Sequence, residues 1–207
     1  MELLHIPGAW PLYTNTFLLF SGDGRAAVVD PAADAAVYEK ALAEHGARLT
    51  DILLTHGHYD HVASVAALRR STGAKVRLDP ADALGTELYP LTPDLIDEPW
   101  PAADGTVEAA GLSFRLWHTP GHTKGGVCLY TDGCLFCGDT LFAGSCGRMD
   151  LPGGSVAEMQ KSLAFIAALP LPDETKVLPG HERFSTLGAE RRQNPCLTGD
   201  LWLKCFV

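Results

Sequence analysis

The chain has 207 residues, 46% hydrophobic and 20% charged, and its 16 Lys and Arg against 25 Asp and Glu give a formal net charge of −9. This length suits a single domain with a substantial core, and the acidic balance without a basic run argues against nucleic acid or an anionic membrane surface as a partner. No apolar stretch approaches the ~20 residues of a membrane helix and no export signal is evident, so we expect a cytoplasmic protein.

Apolar periodicity and turn residues predict strand-rich blocks that alternate with helices. Strands are predicted at Glu2–Ile6, Tyr13–Phe20, Arg25–Val29, Asp51–Thr55, Lys75–Leu78, Leu112–Trp117, Val127–Tyr130, Cys134–Cys137 and Thr175–Leu178. Helices are predicted at Asp34–His45, Val62–Arg70 and Ser155–Ala168. Five prolines indicate that residues 79–105 form a mostly irregular surface excursion, a candidate wall or lid of a site. The pattern predicts an α/β or α+β fold in which helices cover two sheets.

A cluster of three histidines and one aspartate follows directly on the predicted buried strand that ends at Thr55. On a turn, the alternate residues His56 and His58 can point to the same side and bind one ion, while Asp60 and His61 face a neighbouring position. Imidazole and carboxylate ligands suit Zn²⁺, and also Fe or Mn. Because so dense a pattern rarely arises by chance, it favours a metal site over solvated capping histidines.

Three further ligand candidates follow other predicted strands, and a glycine precedes each of them: His122, Asp139 and His181. Glycine permits a close approach of the backbone to a site. Each residue alone would suit a structural role, but together with the histidine cluster they are interpreted as metal ligands. The ambiguous His118 is interpreted as a structural histidine rather than a ligand.

The pair Cys134 and Cys137 has the spacing of some metal and redox sites, but it lies within a predicted strand. Residues three apart on a strand face opposite sides, so we interpret both cysteines as small apolar strand residues. None of the six cysteines of the chain is expected to be catalytic.

The motifs T-H-x-H-x-D-H, H-T-P-G-H-T, G-D-T-L-F and a late G-H resemble the metallo-β-lactamase superfamily over about Leu12 to Pro195. The resemblance implies a single domain over residues 1–207 with a four-layer αββα sandwich and a dinuclear metal site at one edge. It places one metal on His56, His58 and His122. It places the second on Asp60, His61 and His181, with Asp139 as the bridge.

Within this superfamily the chain is most similar to the glyoxalase II (hydroxyacylglutathione hydrolase) branch, through residues 138–148 and 185–195. Asp139 stands where true β-lactamases have Cys or Ser, and His58 stands where the flavodiiron branch has Glu, which disfavours both activities. The resemblance implies hydrolysis of a small-molecule thioester such as S-lactoylglutathione by a metal-bridging hydroxide. The expected cofactors are two divalent ions, zinc in the first place with iron or manganese as alternatives, and Asp60 and Asp139 are the expected catalytic residues.

Two departures bear on the substrate. Full-length glyoxalase II has an additional C-terminal helical domain, for which this chain is too short, and a tyrosine of its glutathione site is Asp150 here. Arg148 is a candidate ligand for a carboxylate of the thiol carrier, with a surface ion pair as the equal alternative.

The main functional alternative is a persulfide dioxygenase with one Fe(II) held by two His and one Asp. Nuclease-type hydrolysis and a non-enzymatic metal-binding role are less favoured. A homo-oligomer stays open, since the apolar residues 201–207 are expected to pack either on the core or on a second subunit.

Overall fold

Two mixed β-sheets pack face to face, and helices cover the outer face of each. The computed structural model describes residues 1–199. The first sheet has five strands in chain order: β1 (Glu2–Pro7), β2 (Asn15–Phe20), β3 (Arg25–Val29), β4 (Arg48–Leu53) and β5 (Lys75–Arg77).

The second sheet has six strands, which lie in the order β13, β12, β9, β8, β7 and β6. Their bounds are β6 (Gly105–Ala109), β7 (Leu112–His118), β8 (Val127–Thr131), β9 (Cys134–Gly138), β12 (Lys176–Pro179) and β13 (Ser185–Thr186). A short separate hairpin is formed by β10 (Leu141–Phe142) and β11 (Ser145–Cys146). The helices are α1 (Ala35–Glu44), α2 (Val65–Thr72), α3 (Val156–Ala168), α4 (Leu187–Gln193) and α5 (Pro195–Thr198).

The layers follow from the alternation of side chains along the buried strands. On β2, Leu18 faces the core beneath α1 and α2, whereas Phe17 faces the core between the two sheets. On β9, Phe136 faces the inter-sheet core, whereas Leu135 faces a third core that includes Leu163 of α3. Three cores between four layers make an αββα sandwich, which confirms the predicted fold class.

The direction of the strands brings the predicted site residues to one edge of the sandwich. β3 pairs with β4 in parallel, and β9 pairs with β12 in parallel, so their carboxyl ends lie side by side. β7 runs in the same direction as β9, because each is antiparallel to β8. The loops that follow these five strands therefore converge at one edge, where parallel sheets commonly present functional groups.

Most predicted strands and helices form, with shifted ends. β4 begins at Arg48 rather than Asp51. α2 begins at Val65 rather than Val62, and the turn before it is held to the loop after β3 by the amide of Ser64, which donates to the carbonyl of Pro31 at 3.0 Å. β6 and the elements of residues 185–198 are additional to the prediction.

The irregular segment 79–105 is more than the surface excursion that its prolines predict. Trp100 is buried in the inter-sheet core, and its indole Nε1 donates to the carbonyl of Leu54 at 2.9 Å. Tyr89 and Leu91 are buried as well. The apolar residues 201–207 lie outside the described part of the chain. Within residues 1–199, no helix is both long and apolar enough to cross a membrane.

We expect Phe136→Ala to lower the free energy of unfolding by about 3–5 kcal/mol, because it removes a fully buried ring from between the sheets. Phe136 packs edge-on against Phe17 with 5.2 Å between the ring centroids. Urea unfolding of the matched variant Phe165→Ala, at a 40% exposed position on α3, is expected to show a much smaller loss. Equal losses for the two variants would contradict this packing.

Candidate metal centre

Three buried histidines form one compact group at the sandwich edge. His56 and His58 lie on the turn after β4, and His122 lies on the loop between β7 and β8. Nδ1 of His58 is 2.8 Å from Nε2 of His122, and the ring of His56 stands nearly perpendicular to both other rings. Nε2 of His56 has no hydrogen-bond partner among the described residues. Ring nitrogens that converge in a buried space, one of them without a partner, suit a metal ion.

A second group consists of Asp60, His61 and His181. Nε2 of His181 lies 3.2 Å from Oδ2 of Asp60, and Nε2 of His61 lies 3.6 Å from the same oxygen. The two imidazole Nε2 atoms are 3.4 Å apart. Two histidines and one carboxylate whose ligand atoms lie within 4.8 Å of one another can hold a second ion.

Asp139 lies between the two groups. Its Oδ2 is 3.3 Å from Nε2 of His122 in the first group and 3.5 Å from Nε2 of His181 in the second. Its Oδ1 is 3.4 Å from Nε2 of His61, and this buried oxygen has no hydrogen-bond partner in the described chain. One carboxylate therefore reaches both groups, as expected for a bridging ligand. The structure brings all seven residues predicted as ligands into one place.

The pKa shifts of His56, His58 and Asp139 favour the protonation states that bind cations. Burial, followed by the neighbouring imidazoles, lowers the pKa of His56 well below its usual range and that of His58 to about 4. Burial opposes ionisation of Asp139, but the nearby histidines outweigh it, and the pKa of this carboxyl is lowered. Neutral imidazole and ionised carboxylate are the ligand forms.

In the second group, the carboxylates favour positive charge on the rings. Burial opposes protonation of His61 and His181, but Asp139, Asp30 and Asp60 outweigh it, so the pKa of both imidazoles is raised. The pKa of Asp60 is lowered, because its contacts with His181, His61 and Thr14 outweigh its burial. The electrostatic field that favours a proton here equally favours a metal cation.

Groups behind the ligands fix the orientation of their rings. Oδ2 of Asp30 lies 3.0 Å from Nδ1 of His61, which leaves Nε2 of that ring facing the site. Nδ1 of His122 lies 2.7 Å from the backbone carbonyl oxygen of Arg148, and the hydroxyl of Thr14 donates to Asp60 at 2.8 Å. Such partners orient ligands and tune their affinity for metal. Asp30 also directly follows a predicted strand, but the Asp-Pro pair to which it belongs indicates only the end of that strand.

Asp82 joins the two loops that carry the three-histidine group. This buried carboxylate accepts from the amide of Gly57 at 3.1 Å through Oδ2 and from the amide of Gly125 at 2.9 Å through Oδ1. Gly57 lies between His56 and His58, and a Cβ atom there would come within 2.3 Å of the Asp82 carbonyl oxygen. Segment 79–105 thus supports the candidate site from behind.

Two further predicted residues lie outside the ligand groups. His118 contacts Asp104, with 3.1 Å from Nδ1 to Oδ1, and belongs to none of the clusters of possible metal ligands in residues 1–199. The exposed side chain of Arg148 forms two hydrogen bonds of 2.7 Å with Asp150. The ion pair weighed as an alternative for Arg148 is therefore present.

The C-x-x-C pair lies in a strand with its two side chains on opposite faces. Cys134 packs in the inter-sheet core, Cys137 packs in the core beneath α3, and burial raises the pKa of both thiols. The five cysteines of the described chain are absent from its clusters of possible metal ligands, and Cys205 lies outside the described residues.

The sequence comparison identifies the family. Residues 9–181 match the family model of the metallo-beta-lactamase superfamily. A curated relative, the hydroxyacylglutathione hydrolase of Pseudomonas aeruginosa, is 46% identical over 182 residues, which are 84% of this chain. The chain spans 64% of the length of that relative. This chain belongs to the metallo-beta-lactamase superfamily.

Solved structures agree with this assignment. The crystal structure of the BLEG-1 B3 metallo-beta-lactamase has a TM-score of 0.85 and 32% identity to this chain, and the match covers 96% of this chain and all of the other. ETHE1 from Myxococcus xanthus has a TM-score of 0.83 and 27% identity, covering 96% and 85%. TTHA1623 in a di-iron-bound form has a TM-score of 0.75 and 34% identity, covering 92% and 98%.

We expect Asp82→Asn to weaken metal binding about tenfold or more, because Gly57 and Gly125 donate to different oxygens of Asp82 and an NH2 group would replace one of them. Metal affinity would be measured by competition with a chromophoric chelator. The control is Asp79→Asn, whose carboxylate accepts from the amide of Ala81 in its own turn. Unchanged affinity in Asp82→Asn would show that the two ligand loops do not need this carboxylate.

Proposed function

We propose that the chain is a metal-dependent thioester hydrolase of glyoxalase II type, acting on an acyl-thiol such as S-lactoylglutathione. The observation that carries this proposal is the convergence of two ligand groups on one shared carboxylate, Asp139. The 46% identity to a hydroxyacylglutathione hydrolase supports the same reaction. The cytoplasmic location expected from the sequence stays a prediction.

The seven candidate ligands would hold two metal ions. His56, His58 and His122 would hold one divalent ion, and Asp60, His61 and His181 would hold the other, with Asp139 shared. Bound divalent ions, zinc or else iron or manganese, would polarise the thioester carbonyl and lower the pKa of water to about 7.

The carboxylate of Asp60 or of Asp139 would orient the attacking water and take up its proton; Asp60 contacts His181 of the second group, and Asp139 contacts both groups. The thiol that leaves has a pKa of about 8.5 when free, so it departs as a thiolate without a strong general acid. This reaction needs no serine or cysteine nucleophile, which agrees with the buried positions of Cys134 and Cys137.

The second candidate is an iron-dependent persulfide dioxygenase. The group of Asp60, His61 and His181 has the two-histidine, one-carboxylate composition that suits non-haem iron, and the likeness to ETHE1 also favours this candidate somewhat. Elemental analysis of the isolated protein separates the two proposals. Two ions per chain with thioester hydrolysis support the hydrolase, whereas one iron per chain with oxygen consumption on a persulfide supports the dioxygenase.

We expect His58→Ala to lose metal from the three-histidine group and to lower thioester hydrolysis at least a hundredfold, because it removes a ligand and leaves Nε2 of His122 without its close partner. The readouts are metal content per chain and hydrolysis of S-lactoylglutathione by protein reconstituted with Zn²⁺, Fe²⁺ or Mn²⁺. His118→Ala, which removes a histidine paired with Asp104, is the matched control. Loss of neither metal nor activity in His58→Ala would argue for a different centre.

The substrate-binding role of Arg148 stays a proposal. If Arg148 binds a carboxylate of the thiol carrier, Arg148→Met should raise KM for a glutathione thioester about three- to tenfold at unchanged kcat. The expected rise in KM is moderate, because the guanidinium of Arg148 is already paired with the carboxylate of Asp150. The exposed Arg70→Met is the control. An unchanged KM would show that Arg148 forms only a surface ion pair. Separately, hydrolysis of a β-lactam by the metal-loaded protein tests the lactamase activity that Asp139 disfavours.

A further inference from the structure

The loop between β1 and β2, residues 8–14, bends over the second ligand group. The carbonyl oxygen of Leu12 lies 3.3 Å from Nδ1 of His181, and the hydroxyl of Thr14 donates to Oδ2 of Asp60 at 2.8 Å. The amide of Gly8 donates to the carbonyl of Thr14 at 2.8 Å, which closes the loop on itself. The 8–14 loop is therefore anchored on two candidate metal ligands.

A cavity of about 170 Å³ lies between this loop and the turn that follows His58. Trp10, Pro11 and Leu12 line it from the loop, and Tyr59 and Ala63 line it from the turn. The cavity thus begins at the candidate reaction centre, since Asp60 also lines it, and extends away under the 8–14 loop.

The polar groups within this cavity are already engaged with each other. The hydroxyl of Thr14 donates to the carboxylate of Asp60, and that carboxylate also faces His61 and His181. Among residues 1–199, no Lys or Arg lines the cavity. A polar or charged substituent placed here would lose its water without gaining a partner, whereas an apolar substituent would lose nothing.

Three large, mainly apolar side chains are exposed at the mouth of the cavity. Trp10 is 77% exposed, Tyr59 51% and Leu12 41%. A contiguous exposed apolar patch of this kind marks a site that buries an apolar ligand, and here the patch is continuous with the candidate centre.

The opposite side of the centre has a different character. Tyr89 packs on the ring of His58 with 4.7 Å between centroids, and a second cavity there is lined by Tyr89 together with the exposed Lys124. Arg148 belongs to the same side, because its carbonyl lies against His122. Cationic and hydrogen-bonding groups suit the carboxylates and amides of a peptide-like thiol carrier, which leaves the apolar cavity for the acyl group.

We propose that the substrates of this chain carry an apolar acyl group, which the cavity under the 8–14 loop holds, and that Trp10 determines the preference for it. This inference rests on the proposed thioester hydrolysis. A cavity of about 150 Å³ lined by apolar side chains accommodates benzene, so the present one suits a single ring or a chain of about six carbons. An acyl group that carries a hydroxyl, such as lactoyl, is therefore expected to be a poorer substrate than an apolar acyl group of similar size.

The test is a series of glutathione thioesters assayed with the metal-loaded protein: acetyl, lactoyl, butanoyl, hexanoyl, phenylacetyl and decanoyl. We expect kcat/KM to rise about fourfold per added methylene up to six carbons, the equivalent of about 0.8 kcal/mol each, and then to level off. Trp10→Ala should lower the ratio of kcat/KM for hexanoyl over acetyl at least tenfold. Phe165→Ala, an exposed aromatic on α3, is the control that should keep this ratio.

The outcomes separate this inference from the proposed function. Active protein that prefers lactoyl over hexanoyl, or shows no dependence on chain length, overturns the inference while thioester hydrolysis stands. If no thioester is hydrolysed, the proposed function fails, and calorimetry then compares S-hexylglutathione with S-methylglutathione. Binding at least tenfold tighter for the hexyl ligand, reduced in Trp10→Ala, supports the apolar pocket, and equal affinities overturn it.

Discussion

The arrangement of the ligand loops at the edge of the sandwich depends on the contacts of one buried carboxylate, that of Asp30. It accepts from the amide of Thr55 at 2.8 Å and from the hydroxyl of Thr55 at 2.6 Å, and it lies 3.0 Å from Nδ1 of His61. These contacts join the end of β3 to the start of the turn after β4, where four candidate ligands lie within six residues. A buried charge of this kind is tolerated only when its partners are complete, so the chain geometry at this point has little freedom. The remaining candidate ligands lie around this junction between the end of β3 and the turn after β4.

The centre has two unlike sides, and the difference bears on substrate choice. Next to His58 and His122 lie a buried tyrosine, an exposed lysine and the chain around Arg148, all of which offer hydrogen bonds or positive charge. Next to Asp60 and His181 lies the 8–14 loop, whose side chains at residues 10–12 are apolar. A thioester has the same polarity, with a hydrophilic carrier on one side of its sulfur and an acyl chain on the other. The negative net charge of the whole chain therefore says little about this site, where local groups decide the binding.

The sequence allows the fold and the seven candidate ligands to be predicted because both have strong local signals. The strand patterns are short-range, and the ligands are histidines and aspartates that directly follow strands. Asp82 could not be found in this way, since a carboxylate in Asp-Pro-Ala-Asp is typical of a turn, and its partners Gly57 and Gly125 lie 25 and 43 residues away. The burial of Trp100 was missed for a related reason, because the prolines around it indicate an irregular chain but not which side chains enter the core. The role of Trp10 depends on how its loop bends back over His181, which no local pattern determines.

Each candidate ligand group draws on both sheets. His56 and His58 follow the first sheet and His122 the second, just as Asp60 and His61 follow the first sheet and His181 the second. An ion bound in either group would therefore cross-link the two halves of the chain across the inter-sheet core. By thermodynamic linkage, such an ion adds its binding free energy to the cohesion of the two sheets. The packing of Phe17 against Phe136 and an ion bound at the edge would thus stabilise the same interface between the two sheets.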